Sequence, residues 1–163
     1  MESLNQFKTL IELQEIIKQL RNIEKKLILA RPVVRDEHPT LYANASETGY
    51  RVVCGVRVCD YQLSVDERWV EPNEQMGLSF SGEWQHLRGV HKMVSRHADK
   101  SVDVFWVLGD ANLPPGMAFQ EDKKKKGHYF LVVVRRMTLS ALIENLQWVA
   151  SRMSKIEQVE FGQ

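Results

Sequence analysis

The stretch LPPGMAFQEDKKKKGHYFLVVVRRM, residues 113–137, contains the strongest strand signal in the chain. Residues 129–134 consist of aromatic, leucine and valine residues, which is typical of a buried strand. Upstream, Pro114-Pro115-Gly116 forces an extended and then turning backbone before a short apolar segment at 117–120. We predict a β-hairpin from these two segments, and its tip at 122–127 carries four consecutive lysines.

Amphipathic helices and a buried strand flank this hairpin. Apolar residues recur at helical spacing over 138–153, and Thr138 stands where an N-cap is expected. A second helical pattern covers 83–98, and the run VDVFWVL at 102–108 predicts a buried strand. The tail beyond 153 is expected to be frayed or to add one short strand.

The N-terminal region predicts one long helix over residues 3–27. Apolar residues recur there at spacings of three and four, without an intervening glycine or proline. Several of these residues also fit a heptad. The helix therefore either packs on its own domain or forms a homodimer seam or partner-docking surface. We divide the chain into this amphipathic helix, 1–27, and a domain spanning 28–163.

Short strand patterns fill the middle of the chain. We predict strands at 27–34, within 50–65 and at 68–71, with Pro32 at the end or edge of the first. Residues 78–81 are either a short strand or the entry to a helix capped by Ser81. Residues 35–50 are polar and are predicted to form a loop. The fold class is α+β with mostly antiparallel strands.

Composition narrows the functional classes. The chain has 163 residues, a net charge of +1 and 44% hydrophobic residues, which is enough for one domain with its own core. The balanced charge supplies no general attraction to nucleic acid or membranes. We expect no membrane span, because no apolar run approaches the roughly 20 residues required. The N-terminus lacks a secretory signal pattern, which favours a cytoplasmic location with Cys54 and Cys59 reduced.

The lysine run at 123–126 has two interpretations. Four adjacent ammonium groups form a solvated tip that protects a hairpin edge, or they contact phosphate. Aromatic side chains do not interleave with the run, so we do not expect nucleic acid as a partner. The histidine spacing in 83–98 supports no metal site, and we predict none.

Five residues are candidates for a ligand site. Ser79 and Ser81 share one side of their strand, where they either form a polar pocket floor or serve as a surface hydroxyl and a helix cap. Arg31 ends an apolar strand, where a guanidinium either binds phosphate or lies on the surface. His128 begins a strand, where it either donates a hydrogen bond to a ribose or phosphate or is a hairpin residue without a functional role. Tyr129 either stacks on a base or packs in the core.

Several short motifs together resemble a known family. They are Gly77-Leu78-Ser79-Phe80, the Pro114-Pro115 turn, Asp122, His128-Tyr129 and Met137 before a closing helix. In this order they resemble the small cytotoxic effectors of the type VI secretion system, whose fold is similar to mono-ADP-ribosyltransferases. The resemblance covers roughly residues 77–150. The family's opening strand carries Leu-Tyr-Arg, where this chain has Leu41-Tyr42-Ala43 or Leu29-Ala30-Arg31.

This resemblance implies a fold and a function. The core would be a split pair of antiparallel sheets with NAD in the cleft between them. Ser79 and His128 would be catalytic, and Arg31, Ser79, Ser81, His128 and Tyr129 would bind the cofactor. The protein would be an NAD-dependent toxin acting in a target cell's cytoplasm, with an immunity protein as partner. The alternative is a non-enzymatic interaction module that works through residues 3–27.

Overall fold

The computed structural model describes residues 10–19, 28–34, 41, 51–97, 102–108 and 113–156. Within these ranges the chain forms three helices, α1 (Leu10–Gln19), α2 (Trp84–His97) and α3 (Leu139–Arg152). The strands are β1 (Ile28–Val34), β2 (Val52–Val53), β3 (Val56–Arg57), β4 (Trp69–Val70), β5 (Leu78–Ser81), β6 (Val102–Leu108), β7 (Met117–Glu121), β8 (His128–Val133), β9 (Met137–Thr138) and β10 (Ser154–Ile156).

Six of the described strands form one continuous sheet in the order β10-β6-β1-β5-β8-β7. All five neighbouring pairs in this sheet are antiparallel. The remaining strands form two short ribbons, β2-β3 and β4-β9. The predicted α+β class with mostly antiparallel strands is therefore confirmed. The split two-sheet core is not confirmed, because β5 and β8 lie side by side in a single sheet.

The hairpin and the closing helix form where their patterns predict them. β7 and β8 pair in register from Met117 opposite Val133 to Glu121 opposite Tyr129. The side-chain oxygen of Thr138 accepts a hydrogen bond from the Ala141 N–H and so caps α3. The tail adds β10, which pairs with β6. The predicted loop at 35–50 lies, apart from residue 41, outside the described residues.

The segment 50–65 contains less strand than its composition suggests. Its described part, 51–65, contains β2 and β3, joined by a tight turn in which Cys54 and Gly55 both have positive φ, and a single bridge from Leu63 to Val70. Tyr61 lies outside the strands. Its ring is buried, and its hydroxyl donates a 2.7 Å hydrogen bond to the Leu131 carbonyl oxygen. Core packing therefore overrides the local β propensity in this segment.

The sheet has a hydrophobic core on each face. The larger core contains Leu78 and Phe80 of β5, Leu131 of β8 and the apolar stripe of α3. The smaller core lies under α1 and α2 and includes Leu87 and Trp106. The polar residues of β5 alternate with Leu78 and Phe80 and so face the side of α2. This half-covered face carries the candidate site.

The described part of the N-terminal helix packs on this domain. Leu13 and Ile17 of α1 are buried against Ile28, Ala30 and Trp106. Two of the apolar positions on the predicted helix are therefore used inside the chain's own core. A dimer or docking surface over 3–27 stays a prediction, and residues 3–9 and 20–27 lie outside the described ranges. None of the described helices is both long and apolar enough to cross a membrane.

The tip of the β7-β8 hairpin is held against the start of α2. The Gly82 N–H donates a 2.8 Å hydrogen bond to the Gly127 carbonyl oxygen. Gly127 is buried with a φ of +82°, and a Cβ there would lie 3.0 Å from Cβ of His86. A side chain at position 127 would therefore be strained and would push the hairpin away from α2.

Candidate active site

Three side chains from β5 and the β7-β8 hairpin form a continuous hydrogen-bond chain. Oδ2 of Asp122 lies 2.8 Å from Nδ1 of His128. Nε2 of His128 lies 2.8 Å from Oγ of Ser79. The side chains of Asp122 and His128 are only 12% and 13% exposed, whereas Ser79 is exposed. The arrangement therefore has a shielded carboxylate–imidazole pair and a solvent-facing hydroxyl.

Strand register brings Ser79 to His128. In the β5-β8 pair Ser81 lies opposite His128, and Ser79 lies opposite Phe130. Ser79 is thus the diagonal neighbour of His128 on the same sheet face, a distance that a long side chain can span. Both residues lie in adjacent strands of one sheet, and not on opposite sides of a cleft between two sheets.

The hairpin turn holds Asp122 in place. Its Oδ1 accepts a 2.8 Å hydrogen bond from the Lys124 N–H, and this contact forms an Asx turn. Its own N–H donates a 2.9 Å hydrogen bond to the His128 carbonyl oxygen, so the two residues also meet through the main chain. The second carboxylate oxygen is left directed at the imidazole. The turn therefore aligns the carboxylate and the ring independently of any ligand.

The ionisation of Asp122 determines the tautomer of His128. The hydrogen bond from His128, and next the N–H of Lys124, hold the pKa of the Asp122 carboxyl below its usual range. A carboxylate only accepts hydrogen bonds, so Nδ1 of His128 carries a proton. In the neutral ring Nε2 is then an acceptor, and the Ser79 hydroxyl donates to it. With the hydrogen bond in this direction, the imidazole can remove the proton of the Ser79 hydroxyl.

A second serine–histidine pair lies directly beneath the first. Ser81 is 2% exposed, and its Oγ lies 2.6 Å from Nδ1 of His86 on α2. The His86 ring stacks on His128 with centroids 5.2 Å apart and planes inclined by 24°. Nε2 of His86 is buried without a hydrogen-bond partner. Burial, and then the charges of His128 and Lys125, lower the pKa of His86 to about 4.

Arg31 contacts the site through the backbone. Its Nη1 donates a 2.8 Å hydrogen bond to the carbonyl oxygen of Ser79. β1 and β5 pair at Ala30 and Ser81, and extending this register places Pro32 opposite Ser79. Because Pro32 has no N–H, it cannot donate a hydrogen bond to the Ser79 carbonyl oxygen, and the guanidinium of Arg31 donates one instead. Arg31 therefore helps to hold β5 at the position of Ser79.

Tyr129 does not join the other predicted site residues. It follows His128 in the strand, so its side chain projects to the opposite face of the sheet. Its ring is buried in the larger core, and its hydroxyl donates a 3.1 Å hydrogen bond to Oε2 of Glu121. The interpretation of Tyr129 as a base-stacking residue beside His128 is corrected by this alternation.

Residue patterns alone assign no site role to two of these residues. Asp122 enters through the resemblance, and the further signal for it is its position at the start of a turn, where an aspartate commonly accepts a backbone N–H two residues later. His86 lies in the predicted helix at 83–98, and its contact with Ser81 has no signal in the sequence. In the described part of the chain, no group of three or more His, Cys, Asp or Glu side chains is arranged to hold a metal ion.

Comparison with protein-family models, curated proteins and solved structures finds no match to this chain. The protein is therefore classified by its own fold and by the geometry of its candidate site. It is a mixed α+β protein in which a Ser–His–Asp hydrogen-bond chain lies on the partly open face of an antiparallel sheet.

The lowered pKa of His86 predicts a pH-dependent stability. The folded protein resists protonation of His86 until about pH 4, whereas an unfolded histidine takes up a proton near its usual pKa of 6.5. The unfolded state therefore binds more protons between these values, and the folded state loses stability as pH falls from 6.5 to 4. We expect a loss of roughly 1–2 kcal/mol, allowing for the partial exposure of the ring.

Urea unfolding at pH 7 and pH 4.5 measures this loss. A His86→Asn variant is expected to be less stable at pH 7 but to lose less between the two pH values. Equal pH dependence in the variant and the parent would contradict the assignment to His86.

Proposed function

We propose that the protein is an NAD-dependent enzyme of the toxin type, similar to ADP-ribosyltransferases, acting in the cytoplasm of a target cell. One observation carries the proposal. Ser79, Asp122 and His128 belong to three separate motifs of the resemblance, and they meet in one hydrogen-bond chain. Their contact brings a hydroxyl, an imidazole and a carboxylate from the three motifs together on one sheet face.

The electrostatics around Ser79 suit a dinucleotide. The guanidinium of Arg31 binds the Ser79 carbonyl oxygen, but its side chain lies on the sheet face opposite the Ser79 hydroxyl, because Arg31 alternates with Ala30, which packs on the side of α2. On the side of the hydroxyl, the charge of Lys125 contributes to the lowered pKa of His86 and favours the diphosphate of NAD. His86 stays neutral at physiological pH because its pKa is lowered to about 4, so it adds no competing charge beneath the ring of His128.

Each residue then has a stated role. Ser79 Oγ and His128 Nε2 offer a donor and an acceptor to the ribose hydroxyls next to the nicotinamide. Asp122 keeps His128 in the orientation and tautomer that this requires. Arg31 fixes the main chain of Ser79 through its hydrogen bond to the Ser79 carbonyl oxygen. NAD itself would supply the glycosidic bond that is cleaved or transferred.

Calorimetric titration of NAD tests this proposal. We expect saturable binding to the full chain, and Ser79→Ala or His128→Gln should weaken it about tenfold, because each removes one hydrogen bond to the ligand. Ser151→Ala is the matched control, since Ser151 is an exposed serine whose hydroxyl donates to a carbonyl on α3. Absence of binding at millimolar NAD would overturn the proposal.

Expression in bacteria provides a second readout. We expect the intact chain to slow growth, and Ser79→Ala to relieve the effect while Ser151→Ala does not. With this function an immunity protein is the expected partner, because a producing cell must protect itself from a cytoplasmic toxin. Harmless accumulation of the folded parent protein at high level would count against toxicity.

A further inference from the structure

The Ser79–His128–Asp122 chain has a chemical consequence that does not involve NAD. We propose that Ser79 is an activated nucleophile that forms a covalent acyl or phosphonyl adduct, so that the protein hydrolyses small esters with an apolar acyl group. An exposed hydroxyl donates to Nε2 of His128, and the opposite ring nitrogen is held by the carboxylate of Asp122. This is the set of contacts by which a serine hydroxyl is activated.

The chain contains an internal comparison for this proposal. Ser81 and His86 also form a serine–histidine pair, at 2.6 Å. Their hydroxyl is buried, and Nε2 of His86 has no hydrogen-bond partner and hence no carboxylate. Only the Ser79 pair combines an orienting carboxylate with access from solvent. Reactivity is therefore expected at Ser79 and not at Ser81.

The surroundings of the hydroxyl favour an apolar acyl group. Phe130 lies on the same sheet face, and its ring meets that of His128 edge to face with centroids 4.7 Å apart. An open depression of about 440 Å³ lies further along the β7-β8 hairpin, and its apolar lining of Val132, Val133, Val134 and Pro72 is joined by Asn73, Glu74 and Gln120. Gln120 on β7 lies directly opposite Phe130 on β8, so both side chains are on the same face of the sheet. The depression therefore begins beside Phe130, on the neighbouring strand. It offers room for a short hydrocarbon chain.

The reaction balances without a further reagent except water. The Ser79 oxygen attacks the ester carbonyl carbon while Nε2 of His128 takes the hydroxyl proton. The bond from carbon to the leaving oxygen breaks, and the alcohol departs with that proton. Water, deprotonated by the same nitrogen, then cleaves the acyl–Ser79 bond to release a carboxylic acid and restore the hydroxyl.

A fluorophosphonate probe measures the nucleophile directly. The Ser79 oxygen forms a bond to phosphorus, fluoride leaves, and the proton passes to His128, so intact mass increases by one phosphonyl group. We expect a single adduct on the native protein, located at Ser79 by peptide mass spectrometry. Ser79→Ala and His128→Gln should remove it, whereas Ser151→Ala should retain it. Protein unfolded in urea should not react.

Ester turnover supplies the second measurement. We expect p-nitrophenyl butyrate to be hydrolysed at least tenfold faster by the parent than by Ser79→Ala, and faster than p-nitrophenyl acetate. Circular dichroism checks that each variant is folded. A native protein that gains no adduct, or that gains it equally in Ser79→Ala, would overturn the proposal. Neither result depends on NAD, so NAD binding and Ser79 labelling can fail separately.

Discussion

Asp122→Asn is expected to slow phosphonylation of Ser79 by at least a hundredfold while leaving the protein folded. The amide oxygen of asparagine can still accept from the Lys124 N–H, so the turn is retained. The amide nitrogen then faces Nδ1 of His128, where the carboxylate oxygen lay. Because this nitrogen only donates, Nδ1 must become the acceptor and the ring proton moves to Nε2.

With the proton on Nε2, His128 can no longer remove the proton of Ser79. In a well-characterised Ser–His–Asp enzyme, the same change of tautomer lowers kcat about 10⁴-fold. Pseudo-first-order labelling rates of the parent and variant, followed by intact mass, measure the effect. The matched control is Asp66→Asn. Like Asp122, Asp66 accepts a hydrogen bond from the backbone N–H two residues later, but its side-chain partner is the hydroxyl of Ser64 and not a histidine. Equal labelling rates in Asp122→Asn and the parent would show that His128 does not act as the base.

Gly77→Ala is expected to destabilise the protein by about 3 kcal/mol or more, at the upper end of overpacking effects. A Cβ at this position would overlap the carbonyl oxygen of Leu131 and would lie 2.7 Å from its carbonyl carbon. Both are backbone atoms of β8, so no side chain can rotate to relieve the contact. Since β5 pairs with β8 from Leu78 onward, the strands must separate beside the site.

Urea unfolding of the parent and variant measures this loss, and Gly89→Ala is the matched control. Gly89 lies in α2, and a Cβ there meets nothing within 4 Å. Alanine should therefore stabilise the helix by roughly 0.5–1 kcal/mol, because it loses less conformational entropy on folding than glycine. The two substitutions add the same methyl group and are expected to change stability in opposite directions. A Gly77→Ala variant as stable as the parent would contradict the close approach of the two strands.

Local patterns determined most of the described secondary structure of this protein. The run at 102–108, the β7-β8 hairpin and α3 with its Thr138 cap all follow from residue spacing and turn chemistry. Alternation along β5 likewise placed Ser79 and Ser81 on one face. These features depend on neighbours within a few residues, and that information is present in a single sequence. The segment 50–65 departed from its pattern because Tyr61 packs in the core.

Only the tertiary structure decided how the candidate residues meet. Ser79 and His128 are 49 positions apart, and their contact depends on the register of β5 against β8. The same register separates Tyr129 from them, since one step along a strand reverses the face. His86 reaches His128 only because α2 packs on this side of the sheet. Spacing along the chain carries no information on such pairings, because they are determined by which strands become neighbours and by the close approach at Gly77.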